Sequence, residues 1–292
     1  GPSVGVTAAL IPDLRFGTRI AYVCDPLTLA GGWRHHMAKE VSMDPLEDYY
    51  NAALNTLERI RLEETEKIRQ AGRVIGDSLA KGRLLHVFGA GGHSYIAGEE
   101  VFYRAGGLVP VNAILDPGVS LAFGAVRSTK VERASGWVKG VLDTYGLEPG
   151  DVIIVVNANG VNGATIDAAV ESKARGLTVI AVTSPACSRA IPPGHPARHP
   201  SNANLCDVAD LTIDDKVPIG EALVSIAGCE EKVGPASTIA NALILQSMVI
   251  AAVERMVALG VKPAVWKSAN APGGDEANRR YISEYTPRIR HL

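Results

Sequence analysis

The sequence predicts an α/β protein: a three-layer, doubly wound, mostly parallel five-stranded sheet with an N-terminal helical appendage. Three observations predict it. Short apolar runs alternate with segments of helical period. One run, Val152-Ile153-Ile154-Val155-Val156, is β-branched throughout, as suits a central parallel strand buried on both faces. Two runs end directly in glycine-rich turns that lead into helices. The first is Leu84-Leu85-His86-Val87-Phe88, followed by Gly89-Ala90-Gly91-Gly92-His93-Ser94. The second is the 152–156 run, followed by Asn157-Ala158-Asn159-Gly160-Val161-Asn162-Gly163.

The elements follow in order. Residues 44–80 carry Leu46, Tyr49, Tyr50, Ala53, Leu57 and Ile60 at helical spacing, continued by Ile68, Ala71, Ile75 and Leu79. Glu63, Glu64 and Lys67 are expected as surface pairs on the wet side of this helix. A strand is expected over 83–88, a helix over 94–105 and a strand over 109–114. One helix is expected over 127–145, with Gly146 as its C-cap. After the 152–156 strand come a helix over 164–175 and a strand over 177–182. Residues 184–206 read as a long loop rich in Pro, His and Ser, and 211–213 as a short strand. Residues 235–259 form the longest late helix, and 262–292 a polar tail. The apolar stretch 239–258 contains Asn241, Gln246, Ser247, Glu254 and Arg255, so it reads as a buried helix, not a membrane span.

Gly1-Pro2 reads as the scar of a tag-cleaving protease, and residues 3–42 as a translated leader or an N-terminal arm with the natural start at Met43. Residues 43–292 are expected to form one domain: a helical appendage (43–81), an α/β core (82–260) and a tail (261–292). The 292 residues are 47% apolar with a formal net charge of −2, which argues against nucleic acid or an anionic membrane as the main partner. Cys24, Cys187, Cys206 and Cys229 have no CxxC spacing and fit reduced thiols of the cytoplasm.

A strand that ends in glycines and enters a helix exposes backbone N–H groups, which suit an anion or a polyhydroxylated ligand. Gly91, Gly92, His93 and Ser94 are therefore candidate binding residues, with Ser94 either capping the helix or bonding a sugar. A nicotinamide fingerprint is disfavoured. Ser94 stands where GxGxxG wants glycine, and Asp116 falls beyond the usual offset of ~20 residues. In the second turn Asn157, Asn159, Gly160 and Asn162 are candidates, because amide groups donate to phosphate, sulfonate or hydroxyl. The alternative is a structural turn in which Asn tolerates left-handed angles. Glu99 and Glu100 are neighbours on a helix, so one of the two faces the cleft. A glutamate there suits general-base proton transfer, and His199 or His195 suits a partner acid/base. The HxxxH spacing of the two histidines, near Cys187 and Cys206, does not fix metal geometry in a loop, so no metal or other cofactor is expected. Glu221 and Lys216, after the last strand, and Asp275 and Glu276, after Gly273-Gly274, are further candidates for the pocket or its lid.

The two-turn layout and the helix start Pro235-Ala236-Ser237-Thr238 resemble the SIS (sugar isomerase) fold. The likeness is carried by Gly98-Glu99-Glu100-Val101-Phe102-Tyr103-Arg104-Ala105-Gly106-Gly107-Leu108, Ile114-Leu115-Asp116-Pro117-Gly118, Arg198-His199-Pro200-Ser201, Lys232-Val233-Gly234-Pro235 and residues 268–276. It covers residues 43–292 and is nearest to a sugar isomerase or phosphoheptose isomerase-like subgroup. SIS phosphate loops typically read Ser-x-Ser-Gly-x-Thr where this chain has Asn157-Ala158-Asn159-Gly160-Val161-Asn162, so hydroxyls have become amides.

The resemblance implies an aldose–ketose isomerase acting on a sugar or an anionic sugar derivative, phosphate or sulfonate, with no redox cofactor. Ser94, Asn157, Asn159, Asn162, Ser237 and Thr238 would hold substrate, Glu99 or Glu100 would be the base, and His199 its partner. It also implies a homodimer or homotetramer with the 239–253 helix at an interface. Two alternatives stand beside it: a non-catalytic sugar-phosphate sensor, and a deaminase or etherase-type lyase on amino sugars.

Overall fold

The computed structural model describes residues 44–292; the expected tag scar, leader and start at Met43 lie outside the described residues. The chain runs α1 (Pro45–Leu79), β1 (Leu85–Gly89), α2 (Ile96–Val101), β2 (Val111–Ala113), α3 (Ala125–Arg133), α4 (Val138–Leu142), β3 (Val152–Val156), α5 (Gly163–Ala174) and β4 (Thr178–Thr183). It continues with α6 (Pro185–Ala190), α7 (Leu205–Val208), β5 (Leu211–Asp214), β6 (Ala222–Val224), β7 (Val233–Pro235), α8 (Ser237–Ala258) and α9 (Gly274–Tyr285).

Five strands form one sheet in the order β2-β1-β3-β4-β5, with every pairing parallel. The register aligns Val87 with Ile154 and Ile154 with Ile180. The strand period of two then sorts the side chains. Leu85, Val87, Ile154, Ile180 and Val182 pack with α1, α2 and α8. Phe88, Ile153, Val155 and Val179 pack with α4, α5 and α7 on the other face. Each such side chain contributes about 1.5–3 kcal/mol relative to exposure. This is the expected three-layer architecture with its N-terminal helix. The C-terminal half of α1, through Ile68, Ala71, Ile75 and Leu79, is part of the core. α8 is long and apolar enough to cross a membrane by length and composition, yet Ala240, Ile244, Leu245, Met248 and Ala252 bury one face of it in that core.

The strand order reverses between β1 and β3, and both glycine turns leave those neighbouring strands at their carboxyl ends. In a doubly wound sheet the ligand crevice lies at that reversal.

The structure corrects several element boundaries. The helix expected to Ala105 stops at Val101, because Phe102 is extended and Tyr103 is left-handed at φ 47°. The chain turns there to meet the tail: Gly106 N–H donates to Trp266 O, and Trp266 N–H to Gly107 O. The single helix expected over 127–145 is two, broken at Gly136 (φ 91°), whose N–H donates to Asp167 Oδ2. The loop expected over 184–206 contains α6, started by Ser184 as N-cap and Pro185 in the first turn, and α7. A β6–β7 hairpin precedes α8, and α9 lies in the tail. Glu64 is not on a wet face: it is buried.

Candidate functional site at the glycine turns

The two turns are built differently. In the first, Gly91 (φ 111°) and Gly92 (φ 53°) take backbone angles that side-chain-bearing residues avoid. Ser94 lies inside a short 3-10 turn, Gly92–Tyr95, and neither that turn nor α2 receives a side-chain cap. Gly92 N–H donates to Ser128 Oγ at 3.3 Å, and His93 is exposed.

In the second turn almost every polar atom is used internally. Asn157 Oδ1 accepts from Gly160 N–H at 2.8 Å. Ala158 O accepts from Ser184 N–H, Asn159 O from Ser188 Oγ, Gly160 O from Leu205 N–H and Val161 O from His199 N–H. Asn162 Nδ2 donates to Ala197 O at 3.0 Å. Asn157 and Asn162 are buried, and the 197–205 segment covers them. Of the three asparagines only Asn159 reaches the surface, where its Nδ2 donates to Glu221 Oε1 at 3.2 Å.

The structure brings together one residue that the sequence reading missed. Glu132, on α3, lays its carboxylate against the Cα of Gly91; a Cβ there would sit 2.1 Å from Glu132 Oε2. Burial pushes the Glu132 carboxyl up to about 7; Arg133 pulls against this, and the nearby Glu221 charge adds to it. Nothing in the local sequence Val131-Glu132-Arg133 marks this glutamate. Only the break at Gly136, which sets the length of α3, hints at its placement. Glu221 sits at φ 65°, an uncommon angle for a residue other than glycine. Nearby, Asp215 is fully buried with Oδ2 unpartnered among the described residues; burial first, then the charges of Asp214 and Glu221, push its carboxyl up to about 8.

A second cluster lies on the α2–α8 side of the first turn. His93, Glu100, Thr238 and Asn241 line a cavity of about 20 Å³. That is room for one water or one hydroxyl group. Asn241 is buried with Oδ1 unpartnered among the described residues, another residue the sequence reading did not select. Glu100 Oε1 accepts from Gln246 Nε2 at 3.0 Å, and its Oε2 pairs with Arg104 at 3.2 Å. Glu99 is exposed. α8 begins without a side-chain cap, leaving the N–H groups of Ser237, Thr238 and Ile239 at the same edge.

The other candidates are placed elsewhere. His199 Nε2 lies 3.1 Å from Asp167 Oδ1 on α5, and its Nδ1 is 2.7 Å from Ser201 Oγ. It therefore sits with the helices opposite α2 and is not brought to Glu99 or Glu100. His195 is exposed, its Nδ1 accepting from Ala197 N–H. Glu276 is exposed in the first turn of α9, and the tail runs down the β2 edge, where Arg288 donates to Gly82 O. It does not lie across the glycine turns. Among the described residues no group of three or more His, Cys, Asp or Glu is arranged to hold a metal ion.

A SIS domain model matches residues 48–184. A UPF0309 protein of Caldanaerobacter subterraneus is 38% identical over 250 residues, covering 85% of this chain and all of that relative. The chain belongs to the UPF0309 family and carries a SIS domain. A UPF0309 protein of Halalkalibacterium halodurans is 36% identical, covering 84% of this chain and 96% of its own length. Among solved structures, a phosphoheptose isomerase from Francisella tularensis is similar with a TM-score of 0.48 at 15% identity, covering 74% of this chain and all of that one. In the UPF0309 chain, the SIS match ends at Ser184, so α8 and Asn241 lie outside it.

Proposed function

We propose that this SIS-domain protein binds a sugar or sugar phosphate at the first glycine turn and interconverts its aldose and ketose forms, with Glu132 as the proton carrier. The observation that carries the reading is Glu132 itself. It is a half-buried carboxyl to which no cation is bonded among the described residues, poised at about 7 against the Gly91 backbone. A base is most effective when its pKa lies near the working pH. Ionised Glu132 removes the proton at C2 of the open-chain aldose; the C–H electron pair becomes the C1–C2 double bond and the C1=O π pair moves to O1, giving an ene-diolate. The same carboxyl returns the proton to C1 as the O2 proton passes to O1. Glu221, fixed by Asn159, opposes premature ionisation of Glu132. This replaces the Glu99/Glu100 and His199 assignment, since His199 is engaged by Asp167.

The acidic lining beside the second turn disfavours a phosphate there. The uncapped start of α8, at Ser237 and Thr238, suits the anionic end, since helix N-termini attract negative charge. The Asn241 cavity suits one sugar hydroxyl.

The test is a panel of aldoses and ketoses with free, phosphate and sulfonate ends, followed by NMR in D₂O. Deuterium is expected at C1 or C2 of a bound ligand. kcat/KM should rise with pH through about 7 as Glu132 ionises. Glu132→Gln should lower kcat by about 10²–10⁴-fold and leave ligand binding in place. Full activity in Glu132→Gln would overturn the assignment; binding without exchange in the natural chain would favour a sensor.

A further inference from the structure

Glu64 is an expensive residue. It lies in α1, whose neighbouring buried positions are apolar, and it is 2% exposed. A buried carboxylate costs several kcal/mol unless paired, and an apolar side chain of similar size often serves stability as well. Its partners show what it does. Glu64 Oε1 accepts from Lys216 Nζ at 2.7 Å, and Oε2 accepts from Asp214 N–H at 3.4 Å. Both partners belong to the segment that ends at Glu221. Oε2 also pairs with Lys67 at 2.8 Å.

Lys216 is itself buried and left-handed at φ 57°. Its ammonium meets Glu64, Glu63 at 2.9 Å and Asp214 at 3.0 Å. Burial works against that charge, but the three carboxylates outweigh it and hold the ammonium above its ordinary range. Residues 214–221 thus contain two left-handed positions other than glycine, Lys216 and Glu221. Such a conformation is costly and persists only where surrounding contacts over-determine it. The middle of the segment is pinned by Ser184 Oγ, which donates to Val217 O at 2.8 Å, and by Cys187 Sγ at Val217 O and Pro218 O. The far end is Glu221 on Asn159. At the near end the backbone is held by β5, with Asp215 N–H on Thr183 O, and the Lys216 side chain is held by the α1 carboxylates and Asp214.

We propose that Glu64 is a positioning residue, which through Lys216 holds the 214–221 segment so that Glu221 stays on Asn159 and faces Glu132. It acts from α1, outside the crevice, and touches no ligand. Its importance to turnover rests on the reading of Glu132 as proton carrier; its effect on geometry does not.

The experiment needs no sugar. The side-chain carboxyl of Glu132 is titrated by ¹³C NMR in the full chain, assigned by its loss in Glu132→Gln. The charges acting on Glu132 are Arg133 on its own helix and Glu221 across the crevice. Glu221→Gln should move the Glu132 midpoint down. Glu64→Gln should move it down by the same amount, and the double variant should move it no further, as for two residues in one chain of contacts. A Glu64→Gln protein with a lower Tm and an unmoved midpoint would show a purely structural role and overturn the proposal, as would additive shifts. If Glu64→Gln does not fold, Lys216→Met is titrated instead, with the same two outcomes deciding. Failure here leaves the isomerase assay unaffected, and failure of that assay leaves this titration readable.

Discussion

The two glycine turns begin from the same sequence device and end as opposites. Both follow a buried strand at the reversal of strand order, and both enter a helix. The first leaves His93 exposed and carries Glu132 against Gly91. The second is sealed by Ser184, Ser188, His199 and Leu205, which occupy its carbonyls one after another. The lesson is that a glycine-rich turn stays open to a ligand only where no other segment has covered its carbonyls. What decides this is the segment that comes later in the chain, here residues 184–205.

The largest effect that tests this contrast is at the glycines. A Cβ on Gly163 would stand 2.6 Å from Ala134 O and 2.7 Å from Arg133 O, both backbone atoms that cannot swing aside. Alanine gains at most about 1 kcal/mol of helix propensity over glycine, while overpacking of this kind costs about 3 kcal/mol. Gly163→Ala should therefore lower the denaturant midpoint clearly. Gly91→Ala meets Glu132 alone, its Oε2 at 2.1 Å and its less mobile Cβ at 2.7 Å, at a strained φ of 111°. It should lose less stability than Gly163→Ala, which meets two backbone carbonyls, and lose turnover as Glu132→Gln does. Equal loss of stability in both would erase the distinction between the turns.

A smaller effect is expected at Asn162. Its amide supplies Ala197 O from a buried position. Asn162→Ala leaves that carbonyl without its donor, which costs about 1–3 kcal/mol. The loss should appear in urea unfolding with no change in the affinity of any ligand that binds. Weakened binding at unchanged stability would return Asn162 to the ligand site.

The sheet was legible because its signals are local. The β-branched run 152–156, Gly146 and Gly176 as stops, and the strand–glycine–helix pattern each act within a few residues. The late helix α8 was expected, but α9 was missed, for a different reason. α9 begins at Gly274, without a side-chain cap, in a segment whose polar composition reads as tail. It is fixed by distant contacts such as Asn278 on Lys267 and Tyr281 on Trp266. α6 was legible and overlooked: Ser184-Pro185 is an N-cap followed by proline. The candidate site divided in the same way. Of the residues selected from turns and helix starts, His93, Glu100 and Thr238 line one small cavity and Asn159 bonds Glu221. Glu132 was not selected, because its role comes from the approach of α3 to Gly91 across 41 residues of chain.

The smallest expected effect is at Asn159, and it separates the two turns within one loop. Asn159 shares its sequence setting with Asn157 and Asn162, yet its side chain points outward to Glu221. Substitution of a partly exposed polar residue usually stays within about 0.5 kcal/mol. Asn159→Ala should therefore leave unfolding nearly unchanged. It should release Glu221 and lower turnover several-fold, with a downward shift of the pH profile, because less negative charge then opposes ionisation of Glu132. A stability loss matching that of Asn162→Ala would make the second turn structural throughout. The crevice would then be formed by the first turn, α3 and α8 alone.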